Sequence, residues 1–333
     1  MTAGKGGRVG WGVPLLVVAA PALVLAHGDE VRSLNAPRAF SPWDLGVLLL
    51  LVVVGTLYLL GAVRLARRAH FASRALPASP APPARLIHWE PFAFAVGWGA
   101  LVLSILPPLD SLSIQFFSVH MIQHELMMLV GAPLVIFGRP LPRCVAGLPG
   151  AFRHRAARAL QSQTMSSAWR VLTAPLLAWA LHGLAIWVWH MPALYDAAVG
   201  NEGIHTLQHA MFVGTAALFW WGMLYGRYGR AGYGAAVFYV FLTVVHTGIL
   251  GAMVTFAPTP LYPIYAAPAA AHGIDQLVDQ QRAGLLMWIP AGLVMTLLGL
   301  ALFAAWLGES ERRATQIHNS KFKMHTLSEG EAR

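Results

Sequence analysis

Seven apolar stretches alternate with short polar segments along most of the chain. A helix needs about 20 apolar residues to cross a bilayer, because it rises by about 1.5 Å per residue. The pattern therefore predicts an all-α fold, a polytopic transmembrane bundle of seven helices. The predicted spans are residues 44–63, 91–109, 118–138, 171–190, 204–224, 234–256 and 284–307.

A shorter apolar stretch, residues 13–25, lies near the N-terminus. Lys5 and Arg8 precede it, and it ends at Ala26 in the small-residue pattern of a signal-peptidase site. We therefore expect a cleaved signal peptide, with the mature chain beginning near His27. The predicted organisation is a signal peptide at residues 1–26, an extracytoplasmic N-terminal segment at 27–43, a seven-helix transmembrane domain at 44–307 and a cytoplasmic basic tail at 308–333.

The distribution of charge predicts the orientation. Only 11% of the 333 residues are charged, against about 25% in a typical soluble domain. Residues 110–117, 191–203 and 257–281 contain no Lys or Arg, whereas the alternate segments are basic. Because basic loops stay in the cytoplasm, we expect the mature N-terminus outside and the C-terminus inside. The net charge of +9 comes from these short segments and the tail, so it indicates contact with membrane lipid and no nucleic-acid partner.

Histidine pairs interrupt two of the predicted spans at the ends that this orientation places outside. His120 and His124 are four residues apart with a glutamine between them, and His205 and His209 repeat the spacing and the glutamine. Residues four apart lie on one face of a helix, and ionisable groups inside a membrane usually mark functional sites. Two such pairs facing each other predict a metal or cofactor site. Interhelical hydrogen bonding is the alternative.

Other candidate groups share the outer or central layer of the predicted bundle. His246, near the middle of the sixth span, is predicted as a fifth ligand. Imidazole suits several transition metals and thioether selects Cu(I), while the single cysteine excludes a paired-thiolate site within one chain. Copper, as Cu(I), is therefore the favoured metal. The possible additional ligands or supporting groups are His190, His182, Met121, Met287, Glu125 and Asp279.

Three other classes of protein are also compatible with these residues. Paired histidines would also suit haem in a membrane electron-transfer protein. A membrane metal transporter would need ligands in the inner halves of the spans, where few occur, and a structural scaffold would bind no metal. His124-Glu125 begins the zinc-protease motif, but Met128 stands where its second histidine is required. We therefore expect no enzymatic activity.

Several motifs lie in order along the chain: His-Met-x-Gln-His at 120–124, Gly-Arg-Pro at 138–140, Trp-His-Met-Pro-x-x-Tyr-Asp at 189–196, His-x-x-x-His at 205–209, Asp-Gln at 279–280 and Gly-x-x-Met-Trp-x-Pro at 284–290. Together they resemble the seven-helix CtaG-type cytochrome c oxidase assembly proteins of bacteria. The resemblance covers about residues 43–306, and it implies a protein of the bacterial inner membrane that helps deliver copper to the catalytic subunit of the oxidase. We expect an extracytoplasmic donor to supply the copper.

Overall fold

The computed structural model describes residues 41–75, 84–226 and 233–331, and no strand occurs among them. The helices are α1 (Pro42–Ala75), α2 (Ala84–Ile105), α3 (Leu109–Ser113), α4 (Phe117–Glu125), α5 (Ala132–Phe137), α6 (Pro140–Gly147), α7 (Gly150–Gln161), α8 (Gln163–Leu172), α9 (Pro175–Trp189), α10 (Pro192–Gly200), α11 (Glu202–Tyr225), α12 (Tyr233–Thr255), α13 (Ala266–Ala271) and α14 (Gln276–Glu331). A π-helix, Leu126–Gly131, joins α4 to α5, and a 3-10 turn, Pro263–Tyr265, precedes α13.

Four of the described helical segments are long and apolar enough to cross a membrane: Pro42–Phe71, Phe117–Phe137, Gly234–Thr255 and Gln276–Arg312. A fifth span results if α8 and α9 form one broken span, since they meet at a bend of 62°. Pro175 opens α9, and proline has no N–H with which to continue the preceding helix. The all-α membrane architecture thus agrees with the prediction, with four or five such spans where the sequence predicted seven.

Two of the predicted spans, in α2 and α11, are not among the helices that are long and apolar enough to cross a membrane. α11 has 24 residues, but its buried His205, Gln208 and His209 reduce its apolar character. The apolar part of α2 is the short segment Trp89–Ile105. The predicted signal peptide and nearly all of the segment 27–43 lie outside the described residues, and α14 continues through the predicted tail to Glu331.

Glycines allow two pairs of helices to pack with their backbones in contact. A Cβ at Gly61 of α1 would overlap the carbonyl of Arg143 in α6, and one at Gly284 of α14 would lie 2.7 Å from the backbone nitrogen of Thr255 in α12. Arg64 strengthens the first contact, because its guanidinium donates to the carbonyls of residues 146–148 at 2.8 Å each. Small residues at such crossings are typical of membrane helix pairs.

The larger apolar core lies at the end of the bundle where α4, α11 and α14 begin and where α9 and α12 end, and α10 contributes to it. We call this end the capped end. Phe117, Tyr195, Phe212 and Tyr262 are among its buried members. The histidine-bearing parts of α4 and α11 lie in the same region, so the core surrounds the candidate site.

Candidate metal centre

Three histidines from α4 and α11 meet at the capped end. His120, His205 and His209 are buried, and each offers a ring nitrogen within 4.8 Å of those of the other two. We call these residues the triad. Among the described residues, no other group of three or more His, Cys, Asp or Glu side chains meets this spacing. The four-residue repeat places His205 and His209 on one face of α11, and tertiary packing adds His120 from α4.

The neighbours of His120 determine which of its nitrogens faces the triad. The hydroxyl of Tyr265 donates to the carbonyl of Ser113 at 3.0 Å and lies 2.8 Å from Nδ1 of His120. Because a hydroxyl carries one hydrogen, the Tyr265 oxygen accepts from Nδ1–H. The lone pair of the neutral His120 ring is then on Nε2, on the side of His205. Metal-binding histidines are commonly oriented by such a bond from their second nitrogen.

The spacing of the triad fits a bound ion. Nε2 of His120 and Nε2 of His205 are 3.4 Å apart. Two nitrogens that bind one tetrahedral ion at about 2.0–2.1 Å are separated by about 3.3–3.4 Å. The ring centroid of His209 is 4.1 Å from that of His205 and 6.1 Å from that of His120, so a third imidazole borders the same space. Such a neutral nitrogen set suits copper, zinc or iron.

His124 lies one turn further along α4, beside the triad. Its ring centroid is 4.4 Å from that of His120 and 5.2 Å from that of His209. The side chain is buried, and neither ring nitrogen has a hydrogen-bond partner. An unsatisfied buried polar group costs about 1–3 kcal/mol. This position therefore favours a bound ligand.

Four of the additional candidates lie beside His124 and not around the triad. Met121, Met287, Glu125 and His190 line a cavity of about 30 Å³ that His124 also borders. The ring centroids of His124 and His190 are 6.3 Å apart. The predicted ligand layer is thus divided into two adjoining parts, the triad and this cavity.

His246 and His182 lie away from the triad. His246 is at the contact between α12 and α9, and His182 is on the face of α9 towards α11. The ring centroid of His246 is 5.9 Å from that of Trp179 in α9. His182 has Nδ1 3.1 Å from Oγ1 of Thr215 and stacks on Phe219 at 5.4 Å between centroids. The structure therefore does not bring His246 into the triad, because α12 presents this residue to α9.

Asp279 supports the helix that carries His120 and His124. Its carboxylate accepts from the backbone N–H of Phe117 at 2.7 Å, from the N–H of Ser118 at 3.3 Å and from the Ser118 hydroxyl at 2.5 Å. These N–H groups are the free donors of the first turn of α4, where a negative charge also complements the helix dipole. Asp279 is buried and acts as a cap supplied by α14.

Tyrosines that were not predicted as site residues cover the triad. Tyr195 lies 5.1 Å from His120 between ring centroids, and its hydroxyl is 3.4 Å from that of Tyr265. Burial raises the pKa of Tyr195 and of Tyr265 well above the ordinary tyrosine value, so both hydroxyls stay protonated and uncharged. Tyr262 donates to the carbonyl of His190 at 2.9 Å. In the sequence, Tyr195 belongs to the motif at 189–196, and Tyr262 and Tyr265 lie in the segment 257–281. Neither observation reveals their partners.

Fold and site together define a class, an all-helical membrane protein with a buried imidazole cluster that can hold a metal ion. A family model described as cytochrome c oxidase caa3 assembly factor (Caa3_CtaG) matches residues 56–309. The chain therefore belongs to this family of assembly factors, and the resemblance seen in its motifs is confirmed. Comparisons with curated proteins and with solved structures give no match.

Proposed function

We propose that this assembly factor holds Cu(I) at the triad and passes it to the catalytic subunit of cytochrome c oxidase. The observation that supports the copper site is the 3.4 Å between Nε2 of His120 and Nε2 of His205, with His120 oriented by Tyr265. Family membership supports the oxidase as partner. Copper is the cargo in this proposal, and the protein catalyses no reaction.

The chemistry of the ligands suits temporary holding. Neutral imidazoles bind Cu(I) without a cage of negative charge, so a partner that offers a better geometry can take the ion. His124 lies within 5.2 Å of His209 between ring centroids and is available as a further nitrogen ligand. Transfer then runs towards the site of higher affinity.

We further infer that the protein lies in the bacterial inner membrane with its mature N-terminus outside and its C-terminus in the cytoplasm. In this arrangement α2, α11 and the broken α8–α9 pair complete seven spans. The capped end then faces outwards, where an extracytoplasmic donor supplies copper. α7, which has no buried residue and carries Arg153, Arg155 and Arg158, would contact anionic lipid headgroups at the inner surface.

The geometry does not favour haem. In a haem site the two axial imidazoles stand on opposite faces of the porphyrin, whereas the nitrogens of His120 and His205 are in direct contact at 3.4 Å. A transporter is also disfavoured, because among the described residues no second cluster of three His, Cys, Asp or Glu ligands continues towards the other end of the bundle.

Cu(I) binding to the detergent-purified full chain tests the proposal. A chelator competition should show that His205→Ala and His209→Ala each lower the Cu(I) affinity by about 10-fold or more, since each removes a ligand. His272→Ala is the matched control, because this histidine is exposed and bonds to Gln115. In cells, the triad variants should leave the oxidase short of copper. Cu(I) affinities equal to that of the unaltered protein would overturn the copper site.

A further inference from the structure

The cavity beside His124 has the donor groups of a second metal site. It lies between α4, α9, α12 and α14 and has a volume of about 30 Å³. That exceeds the about 10–15 Å³ that a cavity needs to admit one water molecule, so there is room for an ion. Its lining includes Met121, His124, Glu125, His190 and Met287.

The two histidines of the cavity have nitrogens free to bind. His190 donates from Nδ1 to the carbonyl of Ile186 at 2.7 Å, so the lone pair of its neutral ring is on Nε2. That Nε2 is buried without a partner, and so are both ring nitrogens of His124. His124 and His190 are only 1% and 5% exposed. The bond from His190 to Ile186 orients the ring in the way that outer bonds orient metal-binding histidines.

The two methionines give this cavity a different chemical character from the triad. Met121 and Met287 are 1% and 7% exposed, and both line the space that His124 and His190 border. Thioether sulfur is a soft donor that selects Cu(I) over the harder divalent ions. The triad offers nitrogen donors, whereas this cavity offers nitrogen and sulfur donors together.

We propose that the cavity is a second Cu(I) site, formed by His124 and His190 with Met121 and Met287 and separate from the triad. Glu125 borders the same space, so its carboxyl group lies where it can release its proton and balance the charge of a bound monovalent cation. Only the source of the copper rests on the proposed function. The site itself follows from the cavity and its donors.

His124 connects the two sites. Its ring centroid is 5.2 Å from that of His209 in the triad and 6.3 Å from that of His190 across the cavity. A Cu(I) ion can therefore move from the triad to the cavity by exchanging ligands one at a time around His124. The chain then holds a second ion while the first is transferred.

Copper stoichiometry and copper X-ray absorption of the full chain in detergent test the proposal. The unaltered protein, titrated with Cu(I) against a chelator, should bind about two ions per chain and show sulfur scattering. The double variant Met121→Leu/Met287→Leu should lose one ion and the sulfur signal, since leucine keeps the volume and removes the donor. His205→Ala should retain the sulfur signal. Met253→Leu is the matched control, because Met253 is 55% exposed.

The outcomes separate this proposal from the function proposed above. One ion per chain with nitrogen scattering alone would overturn the second site and leave the triad in place. One ion with sulfur scattering, lost both in His205→Ala and in the methionine double variant, would show a single shared site and also overturn the proposal. Failure of the unaltered protein to bind Cu(I) would overturn both.

Discussion

The hydroxyl of Tyr265 orients a ligand of the triad, because it holds the proton of the His120 ring on Nδ1. Its one hydrogen is donated to Ser113, so it can only accept from Nδ1–H of His120. The nearby hydroxyl of Tyr195, at 3.4 Å, can donate to the same oxygen. The two tyrosines and Ser113 thus hold the His120 ring with its lone pair towards His205.

Tyr265→Phe should weaken Cu(I) binding without removing a ligand. The ring of His120 would lose the acceptor at its Nδ1, so the competing tautomer with the proton on Nε2 would become populated. Loss of such an orienting bond typically costs about 10–100-fold in metal affinity, and a chelator competition measures it. Tyr225→Phe is the control, because the Tyr225 hydroxyl donates to the carbonyl of Phe137 at 3.3 Å, far from the triad. Unchanged affinity in Tyr265→Phe would refute the orienting role.

At the scale of helices, the position of α4 depends on a residue that is distant in the sequence. Asp279 in α14 binds the free N–H groups at the start of α4. At its other end, α4 runs into the π-helix Leu126–Gly131, and such widened turns occur frequently at functional sites. The histidine-bearing segment is therefore fixed by α14 at one end and changes its helical register at the other.

Asp279→Asn should destabilise the protein by about 1–2 kcal/mol, within the range for a buried donor left without a partner. The amide keeps the shape of the carboxylate but removes the charge that the N–H groups of α4 bind, and it brings an N–H₂ group among donors. Thermal unfolding in detergent measures the loss. Asp275→Asn, in the same segment, should cost only a few tenths, because Asp275 is exposed and asparagine caps a helix as well as aspartate. Equal effects of the two changes would contradict the proposed capping of α4.

Gly61→Ala should destabilise the contact between α1 and α6. The new methyl group would overlap the carbonyl of Arg143, and overpacking of this kind costs about 1–3 kcal/mol. Gly46→Ala in the same helix is the control, since nothing lies within 4 Å of its added Cβ. That change should be neutral or stabilising by up to about 1 kcal/mol, because alanine has the higher helix propensity. A denaturation series in detergent on both variants distinguishes a packing effect from a propensity effect.

For the molecule as a whole, the features that depend on spacing within one helix could be predicted from the sequence. The spacing of His205 and His209 on one helix was sufficient to anticipate a cluster. The parts that depend on tertiary packing were not predictable: α12 is apolar around most of its surface, so nothing in the sequence indicates that His246 turns to Trp179 in α9. The cap from Asp279 to Phe117 bridges 162 positions, a separation at which a single sequence gives no pairing signal.

The last prediction concerns the orientation of the whole molecule in the membrane. The capped end carries the triad, and the three segments without Lys or Arg predict that this end faces outwards. With Cys144, the single cysteine, replaced in a Cys144→Ala background, cysteine can be introduced by His272→Cys at the capped end and by Thr164→Cys in α8. Both positions are exposed.

An impermeant maleimide applied to right-side-out membrane vesicles should label the position-272 variant at once and the position-164 variant only after the vesicles are lysed. This result would place the triad where an extracytoplasmic copper donor can reach it. The reverse pattern would put the triad on the cytoplasmic side, and the route of copper proposed above would then be wrong even if the triad binds the ion. Labelling of both positions before lysis would indicate leaky vesicles, which a cytoplasmic marker protein retained inside the vesicles excludes.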